Sequence, residues 1–130
     1  MTQGNSQPAG RNTKSVGDGG EEKAARFLQG AGYEILRRQW RTRRGEVDII
    51  AKKGDLVVFA EVKTMPRGCY DTLERLLDTR KQKRIIETAK FFLADFRQYN
   101  ECFIRFDVLI VDMHGTDSVR HIENAFSELV

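Results

Sequence analysis

Long apolar runs, paired cysteines and histidine clusters are what this sequence lacks. No stretch approaches the roughly 18 apolar residues that a membrane-spanning helix needs. The N-terminus has no apolar signal core, so secretion is not expected. Cys69 and Cys102 stand far apart, without metal-ligand spacing, and read as reduced thiols of a cytoplasmic protein with no zinc site. His114 and His121 fall in or near polar loops and lack partners at metal spacing. No internal repeat is present. Charge, by contrast, is plentiful: 32% of the 130 residues are charged against 40% hydrophobic, with a net charge of +3 and a pI near 9.0. That mild basicity suits a polyanion partner without requiring one. The length suits one domain with a real core.

Residues 1–17 are dominated by small and polar types that cannot offset their ordering entropy by burial, which predicts a disordered tail before a single domain over 18–130. A first helix is expected over 18–31, capped by Asp18 and closed by Gly30 and Gly32. Its apolar stripe is Ala24, Ala25, Leu28 and Ala31. Glu21 lies on that core-facing side, whereas Glu22 sits at its edge with Arg26 and Gln29. Strands are expected over 33–40, 47–51 and 56–63, the last two joined by the hairpin-like Lys52-Lys53-Gly54-Asp55. Residues 64–71 read as a loop. Residues 73–99 read as helical, with a break near Asp78 and Thr79 and a buried stripe of Ile85, Ala89, Phe92, Leu93 and Phe96. A fourth strand follows over 103–111, and 119–125 makes a short edge strand. This order predicts an α/β sandwich with a mixed sheet, its third and fourth strands parallel neighbours joined through the helix.

The informative residues are charges inside apolar strands. Asp48 stands in Val47-Asp48-Ile49-Ile50, and Glu61 and Lys63 in Phe59-Ala60-Glu61-Val62-Lys63. Strands this apolar on both faces are central ones rather than solvated edges. Strand alternation puts Glu61 and Lys63 on the face of Phe59. If the turn closes as a symmetric two- or four-residue loop, Asp48 lies opposite Phe59 and diagonal to Glu61, at about 7–8 Å between backbone positions. A one-residue slip would send Asp48 to the other face. Two such carboxylates can share Mg²⁺ or Mn²⁺, which neutralises charge at a scissile phosphate and acidifies water. Lys63 would orient that water or stabilise developing charge; neighbouring carboxylates disfavour it as a base. Glu21 would approach from the first helix, through water or by adjusting the acidity of the cluster.

These motifs resemble the PD-(D/E)xK nuclease superfamily, with Asp48 as its first acid and Glu61-Val62-Lys63 as the ExK part. More closely, the chain resembles the bacterial YraN, or UPF0102, family, which is distantly similar to archaeal Holliday junction resolvases and restriction endonucleases. The similarity runs over about 17–111, through Gly20-Glu21-x-x-Ala24, Gly32-Tyr33-x-Ile35-Leu36, Gly45-Glu46-Val47-Asp48-Ile49-Ile50, Val58-Phe59-Ala60-Glu61-Val62-Lys63 and Arg105-Phe106-Asp107-Val108. It implies a restriction-endonuclease-like three-layer sandwich around a central mixed β-sheet. It also implies catalytic roles for Glu21, Asp48, Glu61 and Lys63, metal binding by Asp48 and Glu61, and a 5′-phosphate product. The sequence departs from the family at Gln39, where Asn is usual, and at Met65, where Arg is usual.

Beyond the acids, Arg37, Arg38, Arg41, Arg43 and Arg44 crowd the approach to Asp48. Arg41, Arg43 and Arg44 read as phosphate contacts, with Lys81 and Lys83 from the start of the long helix. Basic residues there oppose the helix dipole, a cost that a polyanion or the acidic cluster would relieve. Trp40 is a candidate for stacking on an unpaired base, or else a core anchor. Glu46 is expected to tie down the Arg-rich loop, and Asp107 to be a buried structural acid paired with Arg105 or a helix lysine. The expected function is a metal-dependent DNA endonuclease acting on branched or otherwise structured DNA, plausibly as a homodimer. The alternative is a non-catalytic nucleic-acid-binding or adaptor protein that keeps the fold; a pure protein-interaction module is a third class.

Overall fold

Alternating apolar and polar residues build five strands, and two longer helical periods cover their faces. The computed structural model describes residues 11–65, 73–112 and 118–128. In chain order the elements are α1 (Arg11–Gly30), β1 (Glu34–Thr42), β2 (Gly45–Lys53), β3 (Leu56–Met65), α2 (Leu73–Leu76), α3 (Thr79–Asp95), a 3-10 turn at Arg97–Tyr99, β4 (Phe103–Asp112) and β5 (Val119–Phe126). The sheet has the order β1-β2-β3-β4-β5. Its pairings are antiparallel except for β3 with β4, which run parallel as the intervening helix requires. One core, with Ala24, Leu28, Ile49, Val58 and Leu109, lies under α1. The other, with Ile50, Phe59, Ile85, Phe92 and Phe106, lies under α3. The result is an open α/β/α sandwich of the restriction-endonuclease-like class. No helix among the described residues is long and apolar enough to cross a membrane.

Phe92 organises the α3 side, with ring centroids 5.4 Å from Trp40, 5.7 Å from Phe59 and 4.6 Å from Phe96. Burying a side chain of this size stabilises the fold by roughly 1.5–3 kcal/mol. Trp40 is therefore a core anchor rather than a free stacking surface. The expected break in the long helix is present, because the Asp78 side chain accepts the Lys81 N–H at 2.9 Å and starts α3 anew.

Three expectations change. α1 begins at Arg11, so 11–17, expected in a disordered tail, are helical, and Asp18 lies inside the helix rather than at its cap. Once nucleated, a helix adds a hydrogen bond per residue whatever the burial, and composition does not reveal that. The β2–β3 turn also falls one residue later than supposed. Lys53 pairs with Leu56 around Gly54-Asp55, with Gly54 at φ 60, the positive angle a II′ turn needs first. Phe59 consequently faces Ile50 rather than Asp48. This shift of two residues preserves the face, and the predicted convergence survives it. Finally, β3 runs on to Met65, so Thr64 and Met65, expected in a loop, are strand; the expected edge strand over 119–125 is β5, and it carries His121. Cys69, His114, residues 1–10 and most of the 64–71 loop lie outside the described residues.

Candidate active site

The β2–β3 ladder runs from Lys53–Leu56 to Ile49–Ala60. One residue further on, level with Glu61, Asp48 replaces the ladder with its side chain: the Val62 N–H donates to Asp48 Oδ2 at 2.8 Å. A second irregularity lies on the other flank of β2. Gln39, between the Arg38–Ile49 and Trp40–Val47 pairs, adopts φ 52. Such a left-handed residue kinks β1 where it faces Asp48. Asparagine tolerates that conformation better than most residues, which gives the Asn usual at this position a physical reason.

Glu61, 8% exposed, extends from central β3 onto the α3 face. Asp48 lies beside it, close enough for the charge of Glu61 to bear on the Asp48 carboxyl. Two ammonium groups converge on Glu61 Oε2: Lys63 Nζ at 3.1 Å and Lys81 Nζ at 3.7 Å. Lys81 comes from the first turn of α3, so the acidic cluster offsets the unfavourable position of a cation at a helix N-terminus. Burial pushes the Asp48 carboxyl up, the charge of Glu61 adds to it and that of Glu21 contributes, raising its pKa to about 8 despite the Val62 hydrogen bond. Burial works against the charge of Lys63, but Lys81 as a hydrogen-bond partner, Glu61 and Asp48 outweigh it and hold its pKa above the ordinary value. Lys81 shifts the opposite way, lowered first by its contact with Lys63 and then by burial.

Glu21 approaches from the other face. A Cβ on neighbouring Gly20 would meet Thr64 Oγ1 at 2.2 Å, so α1 sits against β3 at a distance that only glycine allows. Glu21 is 5% exposed. Arg38 Nε donates to its Oε1 at 2.9 Å and Gln39 Nε2 to its Oε2 at 3.3 Å. Both oxygens are thus engaged, and Glu21 acts on Asp48 through its charge. The structure therefore brings Asp48, Glu61, Lys63 and Lys81 together, with Glu21 behind them. Lys83 is separated from the group; it faces Ser127 and Glu128 across α3. Arg41 is exposed and paired with Glu46 at 3.1 Å, as anticipated for Glu46. Arg43 and Arg44 occupy the exposed β1–β2 hairpin. No local pattern announced Arg38 as the partner of Glu21, because the two lie seventeen positions apart in the chain.

The donor set suits a hard divalent cation: two neighbouring carboxylates on one face, with oxygen ligands only. No group of three or more His, Cys, Asp or Glu in metal-binding arrangement exists among the described residues, so water would complete the coordination.

An open mixed sheet between helical layers, with acid, acid and lysine where β2 parts from β3, is the restriction-endonuclease-like class. The chain belongs to the uncharacterised protein family UPF0102, whose profile matches residues 20–111. It is 45% identical over 125 residues to a UPF0102 protein of Treponema pallidum, covering 92% of this chain and 98% of that one. It is 39% identical over 125 residues to one of Treponema denticola, covering 88% and 96%. With one of Caldicellulosiruptor saccharolyticus the identity is 41% over 118 residues, covering 88% and 99%. These names carry no activity.

Proposed function

We propose that this protein is a Mg²⁺- or Mn²⁺-dependent DNA endonuclease acting on branched or otherwise structured DNA. The observation that carries the reading is Glu61 with Lys63 and Lys81 on one of its oxygens, beside Asp48, whose carboxyl accepts the Val62 N–H of the same strand. Asp48 and Glu61 would hold the cation, which when bound supplies charge neutralisation at the phosphate and acidifies water. Asp48 must first give up its proton, whose pKa near 8 makes that step pH-dependent in the neutral range. Lys63, kept protonated by its neighbours, donates to the oxygen on which negative charge grows. Lys81 contacts the phosphate from the helix end. Glu21, fixed by Arg38 and Gln39, sets the acidity of Asp48. A two-strand cut needs two such sites, hence a homodimer.

The test is cleavage of labelled duplex, single-stranded, flap and four-way-junction DNA with Mg²⁺ or Mn²⁺, beside Asp48→Asn and Lys63→Ala. Metal-dependent cutting lost in both variants is expected. Cutting that survives both, or none at all, would favour the rival, a nucleic-acid-binding or adaptor protein; on its side is that no more than two carboxylates converge among the described residues.

A further inference from the structure

On α3, residues 81, 84, 88 and 91 share one face. Lys81 begins that face at Glu61. Gly45 of the β1–β2 hairpin packs over its middle, where a Cβ would lie 3.1 Å from Thr88 Oγ1 and 3.4 Å from Arg84 Cβ. Phe91 ends it, 44% exposed although its neighbour Phe92 is wholly buried. Beside Phe91 the hairpin supplies Thr42, Arg43 and Arg44, and these four residues line an open cleft of about 560 Å³.

An exposed phenyl ring flanked by two arginines combines a stacking face with phosphate-binding charge. Arg43 has no ion-pair partner among the described residues, and Arg44 is 63% exposed and held by one pair, to Glu87 at 3.4 Å. A phosphate would compete with Glu87 for that guanidinium.

The distance to the acids is set by regular structure. From Gly45, next to Arg44, to Asp48 three residues of β2 span about 10 Å at ~3.4 Å each. Ten residues of α3 from Lys81 to Phe91 span about 15 Å at ~1.5 Å each. Bases inside a duplex are stacked on one another and cannot reach a ring at the protein surface; an unpaired base can.

The geometry points to Phe91, Arg43 and Arg44 as a subsite for an unpaired nucleotide of DNA, one short strand-length from the carboxylates. It rests on the nucleic-acid part of the proposed function and narrows the substrate class to DNA with a single-stranded arm beside the duplex.

The experiment measures binding of the full chain, in EDTA so that no cleavage is needed, to a tailed duplex and to the same duplex blunt-ended. Phe91→Ala should weaken binding to the tailed DNA by about 5- to 100-fold and leave the blunt duplex unchanged. Phe91→Trp should retain the preference, and its indole fluorescence should be quenched by the tailed DNA alone. Arg43→Gln with Arg44→Gln should lower the salt dependence of binding by about two charges. Equal loss on both DNAs, or no loss on the tailed one, overturns the subsite. If the wild type never cuts DNA yet shows this discrimination, the nuclease reading falls and the subsite stands. Cleavage that needs Asp48 but shows no Phe91 dependence gives the reverse.

Discussion

Two aspartates sit inside this sheet, Asp107 fully buried and Asp48 half-buried, and their surroundings treat them in opposite ways. Asp107, 0% exposed in the middle of β4, accepts from Arg105 Nε at 2.9 Å and Nη2 at 2.8 Å, and from the Asn124 N–H at 2.9 Å. His121 Nε2 lies 2.7 Å away. Arg105 is itself tied to the Tyr33 hydroxyl at 2.8 Å. Burial raises its pKa, but the His121 and Arg105 hydrogen bonds outweigh burial and hold the carboxyl below its ordinary value. Asp48 has one backbone N–H and a second carboxylate beside it, and is pushed up to about 8. A buried acid surrounded by donors clamps β5 to β4. A half-buried acid beside another acid has no such set of donors, and it holds its proton the more tightly for it. The donors around each carboxyl separate the two aspartates.

The sharpest way to break this contrast is to remove each acid. Asp48→Asn should reduce cleavage by roughly 10²- to 10⁴-fold, the range for losing a group that acts on the transition state. It should not destabilise the fold. A folded pKa raised above the ordinary value of 3.8 means that stability falls as pH rises from that value through about 8. Asn cannot ionise, so in the absence of metal the variant should outlast the wild type in urea melts at pH 9, by on the order of 1 kcal/mol or more. Equal melts at pH 9 would remove the case for a strained carboxylate pair.

Asp107→Ala should do the opposite. Leaving the Arg105 charge without its partner is expected to cost about 3–5 kcal/mol in the same melts. Because the Asp107 pKa is lowered, its contribution is present above the ordinary carboxylate range and is lost as pH falls below it. The difference between wild type and variant should therefore shrink in acid.

Cation binding sharpens the contrast further. On the proposed function Mg²⁺ displaces the Asp48 proton, so calorimetry in buffers of different ionisation enthalpy should register proton release at pH 7. The apparent affinity should rise by about tenfold per pH unit below pH 8. The smallest effect belongs to a residue of neither cluster. Arg41→Gln breaks an exposed pair with Glu46 and should change stability by less than ~1 kcal/mol, while lowering the salt dependence of DNA binding by about one charge.

Much of this was legible before the structure, and the failures have particular causes. Glu21 was placed on the buried side of α1 by its spacing from Ala24, Ala25 and Leu28, and it is 5% exposed. The convergence of Asp48 and Glu61 followed from alternation, and it withstood a misplaced turn because the shift was even. For Trp40 the sequence left base stacking and core anchoring both open, and packing on Phe92 decides for the anchor, whereas the exposure of Phe91, next to the apolar stripe, was not anticipated. The direction of one aromatic depends on what lies across from it.

Periodicity and composition determined the element order, the mixed sheet, the inward placement of the acids and the restart of the long helix at Asp78. These are local matters, fixed by side-chain spacing of two or 3.6 residues and by capping chemistry. Only tertiary structure decided that Gln39 kinks β1 against Asp48, that Lys81 rather than Lys83 meets Glu61, that Arg38 holds Glu21, and that His121 clamps Asp107. Each of these joins residues from different elements, and their distances depend on strand register and helix rotation, which many sequence patterns share and one packed core selects.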